Sequence, residues 1–176
     1  MTDWQALLDE ATAGEQASAR GRERWLRRQA TEGATLAGTL LDLAESGAPV
    51  TVWTAPDRRV DGVPVGVGTD VVVLRDRGDH VAVRIGAISV VRPGPGQRGV
   101  PATGDRSAAM RIDFVELLAR IVDDRPEVAL VVVTGETLTG TLVAVGADVL
   151  TLQVGGGGDL AYCSVARCAS VRFRSG

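Results

Sequence analysis

One stretch of this sequence occurs twice, and the repeat constrains the fold more than any other feature. The first copy covers residues 60–74 and the second covers residues 138–152. Both contain a glycine near the start, alternating valines, a Gly-x-Asp turn and a closing leucine. Asp148 follows Asp70 by 148 − 70 = 78 positions, and the shift becomes 80 beyond the glycine run at 155–158. A repeat of this length predicts two duplicated domains rather than solenoid modules.

Each unit has the pattern of a helix followed by five short strands. A hydrophobic fraction of 45% with only 3% aromatic residues suits small cores of β-branched and aliphatic side chains. The first unit is predicted to have a helix over 34–45 and strands at 50–54, 60–67, 70–74, 80–85 and 88–92. The second is predicted to have a helix over 112–123 and strands at 128–134, 138–145, 148–154, 160–165 and 168–173.

The domain organisation follows from these patterns and from composition. Residues 1–33 are predicted to be an N-terminal helical extension, with helical spacing over 3–31. The first helix-plus-strands domain then covers 34–92. Glycine and proline with scattered charges mark residues 93–109 as a linker. The second domain covers 110–176.

Four repeated residues have an expected structural role. Gly62 and Gly140 lack a side chain where a strand must bend sharply around a small core. Asp70 and Asp148 are expected to accept hydrogen bonds from turn amides. Their identical place in both copies favours this turn role over a pair of catalytic carboxylates.

The second strand of each unit is expected to alternate. In the first copy, alternation predicts that Val63, Val65 and Val67 share one face. Pro64 lies in the middle of this strand and therefore requires an edge or bulge position. In the second copy the comparable residues are Leu138, Val143 and Val145.

The arrangement resembles the Sm and Sm-like family over roughly residues 36–92 and 114–173. The shared features are the leading helix, five strands, the glycine of strand two and the Asp at the turn into strand three. The resemblance implies a mainly β protein with N-terminal helices, in which two tandem Sm-like, SH3-type small β-barrels each follow an α-helix. It also implies that the fourth and fifth strands of neighbouring barrels join, so that a ring of six barrels would need three chains.

The chain departs from the family at its RNA-binding residues. The family has an Asn in strand three that helps to hold a uridine base, whereas Leu74 and Leu152 occupy that region here. The family's Arg-Gly pair before strand five is loosely matched by residues 84–86 and not matched by residues 164–166. The resemblance therefore implies fold and assembly without transferring the base-binding residues.

Nucleic-acid binding is the alternative function. A net charge of −3 and a pI near 5.2 oppose a surface that binds nucleic acid everywhere, although a local patch remains open. A basic cluster that includes an aromatic side chain can contact phosphate or an anionic membrane surface, but it also fits a solvated helix face with one residue packed on the body. The candidate contacts to nucleic acid or a partner are Arg20, Arg24, Trp25, Arg27 and Arg28 in the helical extension, with Arg58, Arg59, Arg75 and Arg77 on loops of the first unit.

No catalytic, cofactor-binding or metal-binding residue is predicted. Cys163 and Cys168 align with apolar residues and are expected to pack in the core, and a zinc site needs four ligands. His80, the single histidine, is expected in a surface loop. The glycine run at 155–158 lacks the Lys-Ser/Thr and the helix that follow a phosphate-binding loop, so it predicts a hairpin loop. No small-molecule substrate is evident.

These observations favour a non-catalytic binding and assembly module over an enzyme. The start of the sequence lacks the pattern of a signal peptide and no run is apolar enough to span a bilayer, so a cytoplasmic location is expected. Protein partners, including further copies of the chain, are expected ahead of RNA or DNA.

Overall fold

The computed structural model describes residues 20–26, 28, 29, 31–54, 58–95 and 110–174, and in these ranges the protein is mainly β. The first part contains α1 (Leu36–Glu45), β1 (Val50–Thr54), β2 (Arg58–Val67), β3 (Val71–Asp76), β4 (Asp79–Arg84) and β5 (Ile88–Pro93). The second contains α2 (Phe114–Ile121), β6 (Glu127–Val132), β7 (Thr137–Val145), β8 (Val149–Val154), β9 (Asp159–Ser164) and β10 (Cys168–Arg174). Short 3-10 turns cover Ile85–Ala87, Val122–Asp124 and Val165–Arg167.

All ten strands form one open, antiparallel sheet in the order β5-β1-β2-β3-β4-β10-β6-β7-β8-β9. The first five strands and the last five have the same internal order. The final strand, β10, pairs with β6 of its own half and with β4 of the other half. The sheet is therefore continuous through the β4–β10 pair, and β5 and β9 are its two end strands.

The buried residues form two clusters, one in each half. The first half buries aliphatic side chains around Leu40 of α1 and Leu74 of β3. The second half buries a cluster around Phe114 and Leu118 of α2. This second cluster also includes Val71 and Ala82, which belong to strands of the first half. The halves therefore share apolar contacts as well as backbone pairing.

The helices α1 and α2 begin in the same way. Thr35 caps α1 by accepting a hydrogen bond at 3.0 Å from the Gly38 amide. Asp113 caps α2 by accepting one at 2.7 Å from the Glu116 amide. Each cap satisfies one of the amides that lack an acceptor in the first turn of a helix. No helix in the described ranges is long and apolar enough to cross a membrane.

The predicted alternation of the second strand is wrong at Val65. The β2–β3 register shifts between Pro64 and Gly66, so a bulge turns Val65 outward with 46% of its surface exposed. Pro64 lies at this bulge, as the sequence requires. In β7 the register shifts between Leu142 and Ala144, and Leu142 is the buried residue there instead of Val143.

Close strand approach explains the two repeated glycines. A Cβ atom on Gly62 would lie 2.9 Å from the Arg75 carbonyl oxygen, and one on Gly140 would clash with the carbonyl oxygen of Gln153. In both cases the obstacle is the backbone of the next strand, which cannot move aside as a flexible side chain can. The glycines are thus required where the backbone of the adjacent strand approaches most closely.

Parts of the predicted organisation lie outside the described residues. Residues 20–26, 28, 29, 31 and 32 of the expected N-terminal helix are helical and exposed. The remainder of that prediction, from residue 3 to residue 19, lies outside the described ranges. So do residues 96–109 of the expected linker and residues 55–57 of the predicted turn before β2.

Candidate interaction edges

The contact between the two halves shows what an edge of this sheet can bind. β4 and β10 pair from Ser170↔Val83 to Arg174↔Asp79. The Ile85 amide donates to the Asp70 carbonyl at 2.8 Å on the β3 side. The backbone N–H and C=O groups of successive residues point to opposite sides of a strand, so those of Ala82 and His80 point to β10. The end of each half therefore supplies a strand edge that the other half completes.

Charged side chains reinforce this junction. Arg172 of β10 lies 2.9 Å from an Asp76 carboxylate oxygen and 3.3 Å from one of Asp79. Burial alone would lower the pKa of Arg172, but the hydrogen bonds to both carboxylates raise it above its usual value. Arg174 adds a longer pair to Asp79 at 3.7 Å. These residues are not among the predicted contacts, although basic residues alternate in the last strand and acidic residues flank the β3–β4 turn.

Arg84 crosses the same junction. Its Nη1 donates to the Val165 carbonyl at 2.9 Å. Its buried Nε has no hydrogen-bond acceptor among the residues that the structure describes, and it lies 3.9 Å from an Asp70 carboxylate oxygen, which is ion-pair range rather than hydrogen-bond distance. The Asp70 carboxylate, which lies in the same half as Arg84, thus stabilises the positive charge of this guanidinium.

The start of α2 forms a second contact between the halves, beside the β2–β3 turn. Asp70 Oδ1 accepts a hydrogen bond from the Phe114 amide at 2.7 Å. The Thr69 amide donates to the Ile112 carbonyl at 2.9 Å. The expectation that Asp70 accepts from amides of its own turn is corrected here, because its carboxylate holds the first residue of the second half's helix. A carboxylate suits this place, since a helix N-terminus carries partial positive charge.

The end strands β5 and β9 have the exposure expected of unpaired edges. Tyr162 and Leu160 of β9 are 70% and 51% exposed, and Val90 of β5 is 48% exposed. At the aligned internal positions, Ala82 is fully buried and Ser170 is 3% exposed. Exposed apolar side chains on an unpaired strand favour association with another strand.

Backbone directions at the two ends also match those of the internal junction. The Gly94 amide donates to the Pro49 carbonyl at 2.7 Å on the β1 side. Because backbone groups alternate in direction, those of Val91 and Pro93 point to the open side of β5. The Val165 amide donates to the Asp148 carbonyl at 2.8 Å on the β8 side. By the same alternation, the backbone groups of Leu160 and Tyr162 point to the open side of β9. Pro93 has no amide hydrogen to donate, so this edge offers one donor fewer than β10 does.

Two of the predicted contact arginines already have partners within the chain. Arg58 donates to the Gly135 carbonyl at 2.9 Å and to Thr137 Oγ1 at 2.8 Å, which links β2 to the β6–β7 turn. Arg59 pairs with Asp61 at 2.9 Å. Hydrogen bonds from Thr51 and Arg59 lower the pKa of Asp61 below its usual value. Arg58 therefore has a structural role that the sequence did not reveal.

The other predicted contact residues are exposed wherever the structure describes them. Arg75 lies on β3 and Arg77 on the β3–β4 turn, where its φ is +52°. In the helical extension Trp25 is 61% exposed, and the Arg24 Nε donates to the Arg20 carbonyl at 3.3 Å. Arg28 is also exposed in this segment, and Arg27 lies outside the described residues.

The cysteines and the histidine have packing roles. Cys163 and Cys168 are buried free thiols, as expected. Burial raises the pKa of Cys163, and burial together with the nearby Cys163 raises the pKa of Cys168 to about 12. His80 lies on β4 rather than in a loop, and its ring stacks on Phe173 of β10 with centroids 5.9 Å apart. The described residues contain no group of three or more His, Cys, Asp or Glu side chains placed to hold a metal ion.

A surface cleft of about 1070 Å³ also lies along the internal junction. Arg172 and Asp79 line it on one side, and Val128 of β6 and Ile121 of α2 line it on another. Three of its lining residues, Asp79, Arg172 and Arg174, also form ion pairs between the halves.

No protein-family model matches this chain, and a search of the curated proteins finds no significant match.

Proposed function

We propose that this chain is a non-catalytic assembly module made of two Sm-like small barrels, each preceded by a helix, and that its end strands β5 and β9 bind further polypeptide chains. The observation that carries the proposal is the β4–β10 pair. This pair joins the two halves through β4 and β10. Their counterparts in the repeat, β9 and β5, are the open end strands of the sheet. A second copy can therefore place its β5 against β9, as β10 is placed against β4.

The internal register predicts the contacts of this new junction. Val171 lies opposite Ala82, so Val91 of one copy is expected opposite Tyr162 of the next. Arg172 contacts Asp79, so Arg92 is expected to face Asp159. Both Arg92 and Asp159 are exposed in the single chain, and their charges are opposite. One orientation of β5 against β9 thus satisfies both the apolar contact and the charged pair.

Association of this kind is head-to-tail, because the two edges differ. Head-to-tail contacts give a ring when the rotation closes and a filament when it does not. The Sm-like resemblance favours a closed ring of three chains. The buried free thiols of Cys163 and Cys168 fit a reducing compartment such as the cytoplasm.

Native mass spectrometry and light scattering across a range of protein concentrations test the proposal. The wild-type chain is expected to form a defined oligomer. Reversing Arg92→Glu or Asp159→Arg alone is expected to weaken it, because like charges then face each other. The double variant is expected to restore association, because opposite charges then face each other again.

Val65→Ser is the matched control, since Val65 is an exposed apolar residue away from the end strands. It should leave the oligomer intact. Tyr162→Pro, which removes an outward amide from β9, should abolish it. A wild-type chain that remains monomeric at every concentration overturns the proposal.

Nucleic-acid binding is a second candidate, supported by the exposed arginines around Trp25. Replacing Arg20, Arg24 and Arg28 with Ala is expected to weaken RNA binding at low salt and to reduce its salt dependence. If the wild-type chain does not bind mixed-sequence RNA at low salt, this candidate is excluded.

A further inference from the structure

The turn at residues 146–148 repeats the turn at 68–70, but the two have different surroundings. A Cβ atom on Gly68 would clash with the Ile112 carbonyl oxygen just before α2, whereas among the described residues one on Gly146 would meet only Val149 of its own strand pair. Asp70 is half-buried and holds the Phe114 amide, whereas Asp148 is exposed. The second turn thus has the same glycine and aspartate as the helix-binding turn, and no helix of the described ranges lies against it.

The segment that corresponds to the bound one lies at the start of α1. Subtracting 78 from Ile112 and Phe114 gives Ala34 and Leu36. Phe114 is fully buried, whereas Leu36 is 38% exposed. The first amide of a helix has no acceptor within that helix, so the Leu36 amide needs one outside α1, as the Phe114 amide does.

We infer that residues 34–36 of a second copy of this chain dock on the turn at 146–148, where the Asp148 carboxylate accepts a hydrogen bond from the partner's Leu36 amide. The inference rests on the proposed head-to-tail assembly, because the partner's α1 reaches this turn only when its β5 lies against β9. In the single chain, the same geometry joins α2 to the turn at 68–70 while β10 lies against β4.

Exposed apolar side chains support this occupant. At the internal junction Phe114 belongs to the same buried cluster as Ala82. At the proposed junction the corresponding residues are Leu36 and Tyr162, which are both exposed in the single chain. Removing exposed apolar surface from water favours association. Tyr162 is 70% exposed in the single chain, and the partner's Leu36 would cover it.

Cysteine crosslinking between copies tests the inference directly. Thr69 and Ile112 are joined by a backbone hydrogen bond of 2.9 Å, and their counterparts are Ala147 and the partner's Ala34. Ala34→Cys chains and Ala147→Cys chains are mixed at a concentration at which light scattering shows association, and then oxidised. Because each chain carries one introduced cysteine, a link between the two sites can form only between copies.

The expected result is a crosslinked dimer on a denaturing gel that requires both variants. Thr69→Cys/Ile112→Cys is the matched control, and it should form a link within one chain. Asp148→Ala is expected to weaken association roughly fivefold to tenfold, the effect of losing a helix-capping hydrogen bond. Asp148→Asn keeps an acceptor oxygen and should retain most of the affinity.

The outcomes separate this inference from the proposed function. If the copies associate and Tyr162→Pro abolishes association, but no crosslink forms and Asp148→Ala has no effect, the helix contact is wrong and the strand pairing stands. If the wild-type chain does not associate at all, the proposed function and the helix contact both fail.

Discussion

Phe114 is predicted to be the side chain whose truncation most weakens the union of the two halves. It is fully buried, and its cluster includes Val71 and Ala82 from the other half. Phe114→Ala removes a buried aromatic ring and leaves a cavity, for which the expected loss is about 3–5 kcal/mol of unfolding free energy. A loss of this size is a large fraction of the stability of an ordinary domain.

Leu36→Ala provides the matched comparison, because Leu36 occupies the corresponding first position of α1. Leu36 is 38% exposed, so truncating it removes less buried surface, and the expected loss is about 1 kcal/mol. The difference between the two variants should therefore be about 2–4 kcal/mol. It applies to dilute, unassembled protein, since a second copy would cover Leu36.

Urea unfolding followed by circular dichroism measures both losses. The slope of the free energy against urea should be the same in wild type and variants, so that the midpoints report stability alone. If Phe114→Ala costs no more than Leu36→Ala, then the buried contact between α2 and the first half does not stabilise the chain, and the reasoning is refuted.

Three further predictions test separate contacts. Gly68→Ala is expected to cost about 1–3 kcal/mol because its Cβ meets a backbone oxygen, whereas Gly146→Ala in dilute protein should cost less, and equal shifts in thermal midpoint would contradict this. Burial raises the pKa of Cys168 to about 12 in the folded chain, against an ordinary value of 9.0. The neutral thiol's contribution to folding stability is therefore complete below pH 9.0 and is lost as pH rises toward 12, because the unfolded chain ionises first. Urea midpoints should show this loss at about 1.4 kcal/mol per pH unit, and Cys168→Val should reduce it. Arg172→Met breaks ion pairs that are 38% exposed on the arginine side, so a loss of about 1 kcal/mol that shrinks in high salt is expected, and a salt-independent loss would disprove the electrostatic role.

The repeat and its hydrophobic pattern predicted the helices and strands of the described units. Local signals sufficed because each element carries its own pattern, such as the apolar stripe of α2 and the turn residues before β3. The bulge at Val65 was not predictable from alternation, since a register shift depends on the strand alongside. Its only signal was Pro64, which cannot donate to a regular ladder.

The candidate site was less accessible to sequence reasoning. Arg20, Arg24 and Trp25 were selected because their types are suited to nucleic acid, and they are exposed as such residues must be. Arg58 was selected for the same reason and instead binds backbone of the β6–β7 turn. Arg172 was overlooked because its acidic partners lie more than ninety positions away in the sequence.

The sequence by itself determined the two similar units, because repeated glycines, aspartates and apolar positions dictate the same local geometry wherever they occur. Only the tertiary structure decided that β10 completes the edge of β4 and that Asp70 holds the first residue of α2. Strand edges have nearly identical backbones, so sequence patterns do not specify which edge pairs with which. That choice depends on which side chains meet when the whole sheet is assembled.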